Sequence, residues 1–414
     1  WLKIAIQEWL KLRSMLGLGL RILLIGCLAC SGSSIKDVNL PSLGTPMAVD
    51  TDMASDDWIA LAVLASQESQ GVPAAPRVEL VTVAATGEAH CGPALANLHH
   101  LLRFLWPQRC IPTACGRDDP GPLGHFFPPA FRKAADDFYN ISLPPTGPVA
   151  DSGLHDEGSF TSCSDQSARA PTAARALVDF VSSTLHVLPP VLMGIGPLTN
   201  FADALQLNAS LLSHAALWMM GGAWRVPGNI DASDFLPSHV PVLNNSVSEW
   251  NMFVDPEAAQ FVAGKAQLVY AVGLDACAHM MHANDTTLEV AALAKRLHDG
   301  AERMRNSTST TSWRSPWFVS EVLRRRQQDS LMNLRYDPLA IALFLKPELS
   351  NFDRLCTALL VAPTSVAGRT LLVDDLDREA SEQCRMFNVA RVVDPKGYGR
   401  VLQTLLLPED FGGA

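Results

Sequence analysis

The chain has 414 residues, 48% of them hydrophobic and 18% charged, which is enough apolar material for a packed core and excludes a disordered or collagen-like protein. Acidic residues outnumber basic ones 42 to 32, for a formal charge of -10, so a partner with a phosphate backbone is disfavoured and no nucleic acid is expected. Nine cysteines with no C-x-x-C pair in the body of the chain argue against a zinc ribbon.

The N-terminal stretch places Arg13 and Arg21 ahead of an apolar run, Ile22 to Cys30, and the small residues Ser31 to Ser34. That is the layout of a secretory signal, with Met15 as a candidate initiator, so residues 1–34 are expected outside the fold and the protein in a secreted or endomembrane location. A lipoprotein signal acylated at Cys27 is the alternative. Five Asn-x-Ser/Thr sequons, at Asn140, Asn208, Asn244, Asn284 and Asn306, favour the secretory reading and a glycoprotein. Of the cysteines beyond this stretch, Cys110 and Cys115 could staple a loop in an oxidising compartment. No later segment is apolar for long enough to span a bilayer.

From Pro46 onward, short apolar runs alternate with helical periodicity. Strands are predicted at Met47 to Val49, Val78 to Ala84, Val191 to Ile195, Ala215 to Met220 and Leu268 to Leu274; helices at Asp57 to Ser66, Pro93 to Trp106, Pro197 to Leu205 and Pro256 to Ala263. Strand and helix in turn imply an α/β fold with an open, mostly parallel sheet covered on both faces. Leu359 to Ala362, Thr370 to Val373 and Phe387 to Val393 read as a small C-terminal β meander, followed by a helix around Val401 to Leu406. Pro107 to Pro171 and Asn229 to Ser248 break the rhythm, as covers or solvated insertions do. No repeat or linker divides the chain into halves.

The densest chemical signal is Asp50-Thr51-Asp52-Met53-Ala54-Ser55-Asp56-Asp57, where a strand turns into a helix. So many anions in one turn repel unless a cation neutralises them, and hard oxygen ligands suit Ca²⁺ or Mg²⁺. A plainer reading makes Asp56 and Asp57 a helix N-terminus favoured by the macrodipole, with Asp50 and Asp52 solvated. A phosphoryl-transfer aspartate at Asp50 is a third, weakened by Ala54 at the position where Thr or Val is expected.

Four further segments carry a resemblance: Gly194-Ile195-Gly196-Pro197-Leu198-Thr199-Asn200, Met219 to Ala223, Glu249 to Ala259, and Asp337-Pro338-Leu339-Ala340. With the acidic turn, in this order and spacing, they resemble the inosine-uridine preferring nucleoside hydrolase family over residues 46–408. The resemblance implies one catalytic domain with a Rossmann-like fold, a ribonucleoside substrate, and often a dimer or tetramer, so a homo-oligomer is compatible with it. It implies Ca²⁺ held by Asp52, Asp57, Asp337 and the carbonyl of Ile195, and catalysis by Asp52 as general base, with Asp56 at the attacking water or a ribose hydroxyl. It also implies substrate contacts at Met220, Asn229, Glu249 and Asn251, with Asp50 orienting the turn. The implied reaction is hydrolysis of the N-glycosidic bond.

The chain departs from the family at three places. Tyr336 stands where His is common and would assist the leaving base, as a weaker acid than imidazolium. Glu88 stands where a ribose-binding Asn is common, and Met53-Ala54-Ser55 where Pro-Gly is common. Three alternatives stay open: a nucleoside- or ribose-binding homologue without turnover, a hydrolase of another N-riboside, and a calcium-stabilised surface protein. Trp224 and Trp250 could stack on a base; His279 and His282 could reach the pocket rim. His99 and His100 have no partner pattern, and the segment Ser312 to Leu334 with Arg324, Arg325 and Arg326 could cover the pocket.

Overall fold

The structure, a computed structural model, describes residues 44–72, 75–138, 141–143, 172–184, 189–230, 245–280, 289–307, 311–325, 332–372 and 384–412. The signal-like segment, the sequons at Asn140, Asn244 and Asn284, and residues His282 and Arg326 lie outside the described residues.

The first half runs β1 (Pro46–Thr51), α1 (Ser55–Ser69), β2 (Arg77–Val83), α2 (Cys91–Leu105), β3 (Thr113–Cys115), α3 (Pro129–Asp136), α4 (Ala173–Thr184), β4 (Val191–Gly194), α5 (Thr199–Leu207) and β5 (Ala216–Met220). There follow α6 (Trp250–Val254), α7 (Pro256–Lys265), β6 (Val269–Val272), α8 (Val290–Ser307), α9 (Arg314–Arg325), α10 (Met332–Arg335) and α11 (Asp337–Leu345). The chain ends with β7 (Phe352–Leu359), β8 (Thr370–Leu372), β9 (Arg385–Ala390), α12 (Pro395–Leu406) and α13 (Glu409–Gly412). Every strand expected before residue 275 is present within a few residues of its predicted ends.

The strands form one sheet in the order β3-β2-β1-β4-β5-β6-β9-β7-β8. All pairings from β3 across to β9 are parallel, and β7 pairs antiparallel with both β9 and β8. The C-terminal strands expected as a meander therefore have β7 at their centre, and β9 returns to join β6. The first of them lies earlier than predicted, at Phe352–Leu359 and not Leu359 to Ala362. Its polar residues disguise it: Asp353 is buried in ion pairs with Arg225 and Arg391, so the alternation is broken by charge that is satisfied in the fold.

Successive residues of β1 feed different layers. Met47 and Val49 face the core formed with α1, α2, α8, α9, α11 and α12, while Ala48 faces the layer of α4, α5 and α7. Helix α1 is apolar nearly all round, from Trp58 to Ala65, because it lies between the sheet and a second tier made of α9 and α12, with α11 beside it against β5 and β6. Helix α11, Asp337–Leu345, is equally apolar for the same reason. The segment from Ser312 onward thus packs, through Phe318, Val319, Val322 and Leu323, against the helical core. Its part at residues 312–325 builds the second tier over α1, and residues 326–331 of the expected pocket cover lie outside the described residues. Arg324 and Arg325 are exposed and pair with Glu321.

Cys115 is bonded to Cys91, with Cα atoms 5.9 Å apart, and not to Cys110; β3 and the start of α2 lie side by side, which a reading of sequence neighbours misses. Cys356 is bonded to Cys384 across the β7–β9 pair.

At the centre of the sheet Trp218 stacks on Tyr270 at 4.4 Å and meets Phe344 and Phe352 edge-on at 5.2 and 5.8 Å. Replacing this fully buried indole leaves a cavity between the sheet and α11. We expect Trp218→Ala to lose about 3–5 kcal/mol of stability in a urea unfolding curve, with an unchanged slope.

Candidate active site

The chain leaves β1 toward β2 and β3 on one side and returns through β4 on the other, so β1 and β4 border a topological switch point. Crevices outside the carboxyl ends of such strands bind ligands in open α/β sheets. Asp50 is paired with Gly194 in the β1–β4 register, and the Ile195 amide donates to the Asp50 carbonyl at 2.8 Å. Asp52 and Ile195 therefore emerge next to one another.

The turn after β1 is held by its own side chains. Asp57 Oδ1 accepts from the Thr51 hydroxyl and, at 3.1 Å, from the Asp52 amide, while Asp57 Oδ2 accepts from the Ala54 amide at 3.0 Å. Met53 takes φ 63°, a left-handed conformation that costs a non-glycine residue about 1–2 kcal/mol and that this ring of bonds maintains. Asp52 is turned the other way. Its Oδ2 accepts from the Glu88 amide at 3.1 Å, and its carbonyl accepts from the Ala89 amide at 3.1 Å. Gly87 is required here, because a Cβ would stand 2.2 Å from Asp52 Cβ.

Helix α11 starts beside α1. Asp56, Asp57 and Asp337 consequently each offer a carboxylate oxygen within 4.8 Å of the others. Burial pushes the Asp57 and Asp337 carboxyls well above the ordinary range, and repulsion from Asp52 and Asp56 adds to it. Burial raises Asp52 as well, opposed by its amide hydrogen bonds. Carboxylates at this density suit a hard divalent cation, whose charge would relieve both penalties.

Asp50 stands behind the turn, fully buried. Its Oδ1 accepts from Thr82 Oγ1 at 2.6 Å and Asn200 Nδ2 at 2.7 Å, and Asn200 also donates to the Val83 carbonyl at 2.9 Å. Burial lifts its pKa to about 7. Its hydrogen bonds tie the end of β1 to β2 and α5, directly behind the turn.

The second half of the crevice comes from β5 and α6. Glu249, 2% exposed, caps α6: it accepts from the Asn251 amide at 2.9 Å, the Met252 amide at 3.2 Å and the Gly222 amide at 3.1 Å. Burial lifts its pKa to about 7, with a contribution from the charge of Asp52. Asn251 Nδ2 donates to the Met220 carbonyl at 3.2 Å. Asn229 Oδ1 accepts from the Trp250 amide at 3.2 Å, and its side chain is hydrogen-bonded to Tyr336. Tyr336, half-buried, is pushed up to about 12 by desolvation and sits under the Arg335 guanidinium, 5.5 Å from the ring centre. Its hydroxyl feels the charge of Asp56, so the two halves of the site meet at α11.

Asp52, Asp56, Asp57, Ile195 and Asp337 thus gather at the ends of β1 and β4 and the start of α11, while Asn229, Glu249, Asn251 and Tyr336 are linked through α6 and β5; Glu88 joins through its amide and Met220 through its carbonyl. The two tryptophans named as base-stacking candidates are engaged within the fold. Trp224 is core, its Nε1 donating to Thr357 Oγ1 at 2.9 Å and its ring edge-on to Phe387. Trp250 already stacks on Phe127, with centroids 4.6 Å apart. His279 is exposed, and His99 is bonded to Thr113 Oγ1 at 2.7 Å. Sequence reasoning missed Thr51, Thr82, Asn200 and Gly87. Asn200 closes the Gly194-to-Asn200 motif and Gly87 lies in Thr86-Gly87-Glu88, so both were visible as residues without a role.

The comparisons with known proteins follow this geometry. The model of the inosine-uridine preferring nucleoside hydrolase family matches residues 47–399. The chain belongs to this family. It is 26% identical over 255 residues to a probable uridine nucleosidase 2 of Oryza sativa subsp. japonica, an overlap of 61% of this chain and 63% of that relative, so the chain spans less than two thirds of that protein. The fold is similar to that of an inosine-uridine preferring nucleoside hydrolase from Bacillus anthracis, with TM-score 0.61, 19% identity, and 87% of this chain and 99% of that one covered. It is also similar to a purine-preferring ribonucleoside hydrolase from Gardnerella vaginalis, with TM-score 0.57, 17% identity and coverages of 87% and 98%.

Asn200 tests the support of the acidic turn. Asn200→Leu leaves the buried Asp50 carboxylate with one hydrogen bond fewer and the Val83 carbonyl without its side-chain donor. We expect a loss of about 2–4 kcal/mol, measured by chemical denaturation, where a surface Asn→Leu change costs under about 0.5 kcal/mol.

Proposed function

We propose that the protein is a Ca²⁺-dependent ribonucleoside hydrolase that cleaves the N-glycosidic bond to free base and ribose, and that residues 46–408 form its catalytic domain. The observation that carries this reading is the convergence of Asp56 with the buried Asp57 and Asp337 at the end of β1, near Asp52, whose charge is felt by Glu249 at the start of α6. Membership of the family supports it.

Asp52, Asp57, Asp337 and the Ile195 carbonyl would hold the ion, with Asp56 alongside. When bound, Ca²⁺ supplies positive charge that orders the vicinal ribose hydroxyls and makes an attacking water more acidic. Asp52 takes that water's proton as the water oxygen bonds to the anomeric carbon and the bond to the base breaks. Positive charge develops on the sugar ring, and the surrounding carboxylates favour it. Asn229, Glu249 and Asn251 fix the ribose by hydrogen bonds, Met220 packs on it, and Glu88 accepts from a hydroxyl. The pair of electrons from the broken bond goes to the base, whose acceptor atom receives a hydrogen bond from Tyr336. A phenol raised to about 12 stays protonated at neutral pH, so it serves as a hydrogen-bond donor throughout.

A secreted or endomembrane location belongs to the same proposal. Cys91–Cys115 and Cys356–Cys384 are disulfides of the kind that persist in oxidising compartments. Among the described residues no helix is long and apolar enough to cross a membrane. Asn306 of the described sequons is exposed.

The test is release of reducing sugar from a panel of ribonucleosides, including nicotinamide and cytokinin ribosides, with and without a chelator. We expect turnover of at least one member of the panel, abolished by chelation and restored by Ca²⁺. Asp52→Ala should lower kcat by at least ~100-fold. Saturable binding of ribonucleosides with no sugar release from any of them would replace the hydrolase by a binding protein.

A further inference from the structure

The segment between β3 and α4, which breaks the strand-helix rhythm of the sequence, reaches the turn that orients Asp52. Helix α3 grips that turn at both ends. At its start, Arg132, 6% exposed, sends Nη2 to the Ala85 carbonyl at 2.8 Å. At its close, Asp136 Oδ1 accepts from the His90 amide at 2.8 Å, and Asp136 Oδ2 lies 2.7 Å from His90 Nδ1. Asn97 Nδ2 of α2 donates to the Asp136 carbonyl at 2.9 Å and fixes the end of α3 in turn. One residue further, Cys91 is tied to Cys115, and its amide meets Asp118 Oδ1 at 3.2 Å.

Between these anchors lie only Thr86, Gly87, Glu88 and Ala89. Two of their amides, those of Glu88 and Ala89, hold Asp52, and Gly87 packs against its Cβ with no room to spare. The guanidinium of Arg132 feels the charges of Asp118, Asp136 and Asp52. A side chain gripped this closely cannot shift without the turn shifting, and the turn cannot shift while both its ends are fixed.

We infer that α3 is a clamp on the 85–90 turn and that Arg132 is a positioning residue for Asp52, acting through the Ala85 carbonyl and the Glu88 amide. The inference deepens the hydrolase reading by assigning a task to a segment outside the family's motifs in this chain. A general base displaced by about 1 Å loses on the order of 100-fold in rate, so the clamp affects turnover more than substrate affinity.

Two measurements on the full chain test it. In native-state hydrogen exchange without metal or substrate, Arg132→Met should speed exchange of the Glu88 and Ala89 amides at least ~10-fold, with the amides of β5 and β6 unchanged. In steady-state kinetics on the best ribonucleoside, the same variant should lower kcat at least ~10-fold with KM within about threefold, and Arg132→Lys, which can still donate to the Ala85 carbonyl, should recover most of the loss. Wild-type exchange at Glu88 and Ala89 in Arg132→Met overturns the clamp. A loss confined to KM does the same, since it makes Arg132 a substrate contact. Should Arg132→Met fail to fold, Asp136→Ala decides: faster exchange at Ala89 with a fall in kcat of about threefold or more supports the clamp, and unchanged values overturn it. A wild-type protein that turns over no ribonucleoside overturns the hydrolase reading, and the exchange result then still decides whether the turn is clamped.

Discussion

Two helices that are apolar on every face must be buried side by side, and this constraint brings the site together. Helix α1 lies between the sheet and the second tier, and α11 lies beside it. Their N-termini open at the same end, so Asp56 and Asp57 of one and Asp337 of the other share a single small volume. The partial positive charge at each helix start favours anions there, by about 0.3–1 kcal/mol apiece when exposed. Burial and mutual repulsion nevertheless lift Asp57 and Asp337 well above the ordinary carboxylate range, so the macrodipoles alone do not account for the cluster. Of the plain reading of the acidic turn, one half holds, since Asp56 and Asp57 stand in the first turn of α1, and the other fails, since Asp50 and Asp52 are buried rather than solvated.

What holds the carboxylates in place is a shell of neutral donors. Thr51 and two backbone amides fix Asp57, Thr82 and Asn200 fix Asp50, and the Glu88 amide fixes Asp52. Neutral donors orient an anion without cancelling its charge, which leaves the charge available to a cation or to a sugar becoming positive. A lysine or arginine in the same places would give stability and remove that field. The strained Met53 turn has the same character: its cost is met by bonds from residues that point inward.

The parts of this arrangement legible in the sequence are those with a period or a composition. Met47 to Val49 and Val191 to Ile195 are apolar runs too short for helices, and four carboxylates within Asp50 to Asp57 stand out in any window. The motifs beginning at Gly194, Met219, Glu249 and Asp337 identified the partners because a family resemblance supplied the long-range pairing that no local pattern carries. The illegible parts are contacts between polar residues far apart in sequence. Strand β7 was displaced in the reading because Asp353 looks solvated until Arg225 and Arg391 are brought to it by folding. Cys91 and Cys115 are 24 residues apart, and only the parallel pairing of β2 with β3 makes them neighbours. The segment around α3 has too short an apolar stripe to announce itself, with only Arg132 and Ala135 buried.

The two ends of the crevice differ in a way that bears on the chemistry. One side holds carboxylates whose proton affinity is raised by burial and by one another, which the proposal assigns to the sugar, and the other holds Tyr336, assigned to the base, whose proton is held more tightly than in a free phenol. Under the proposed reaction, stabilisation of the developing cation therefore falls on the sugar end, and the leaving base receives a hydrogen bond without a full proton. Such a division favours bases that depart with their negative charge spread over ring carbonyls or that leave as neutral molecules, and it penalises those that must be protonated on a ring nitrogen before the bond can break. Under the same proposal, tyrosine at position 336, where the family commonly has histidine, changes which leaving groups are served.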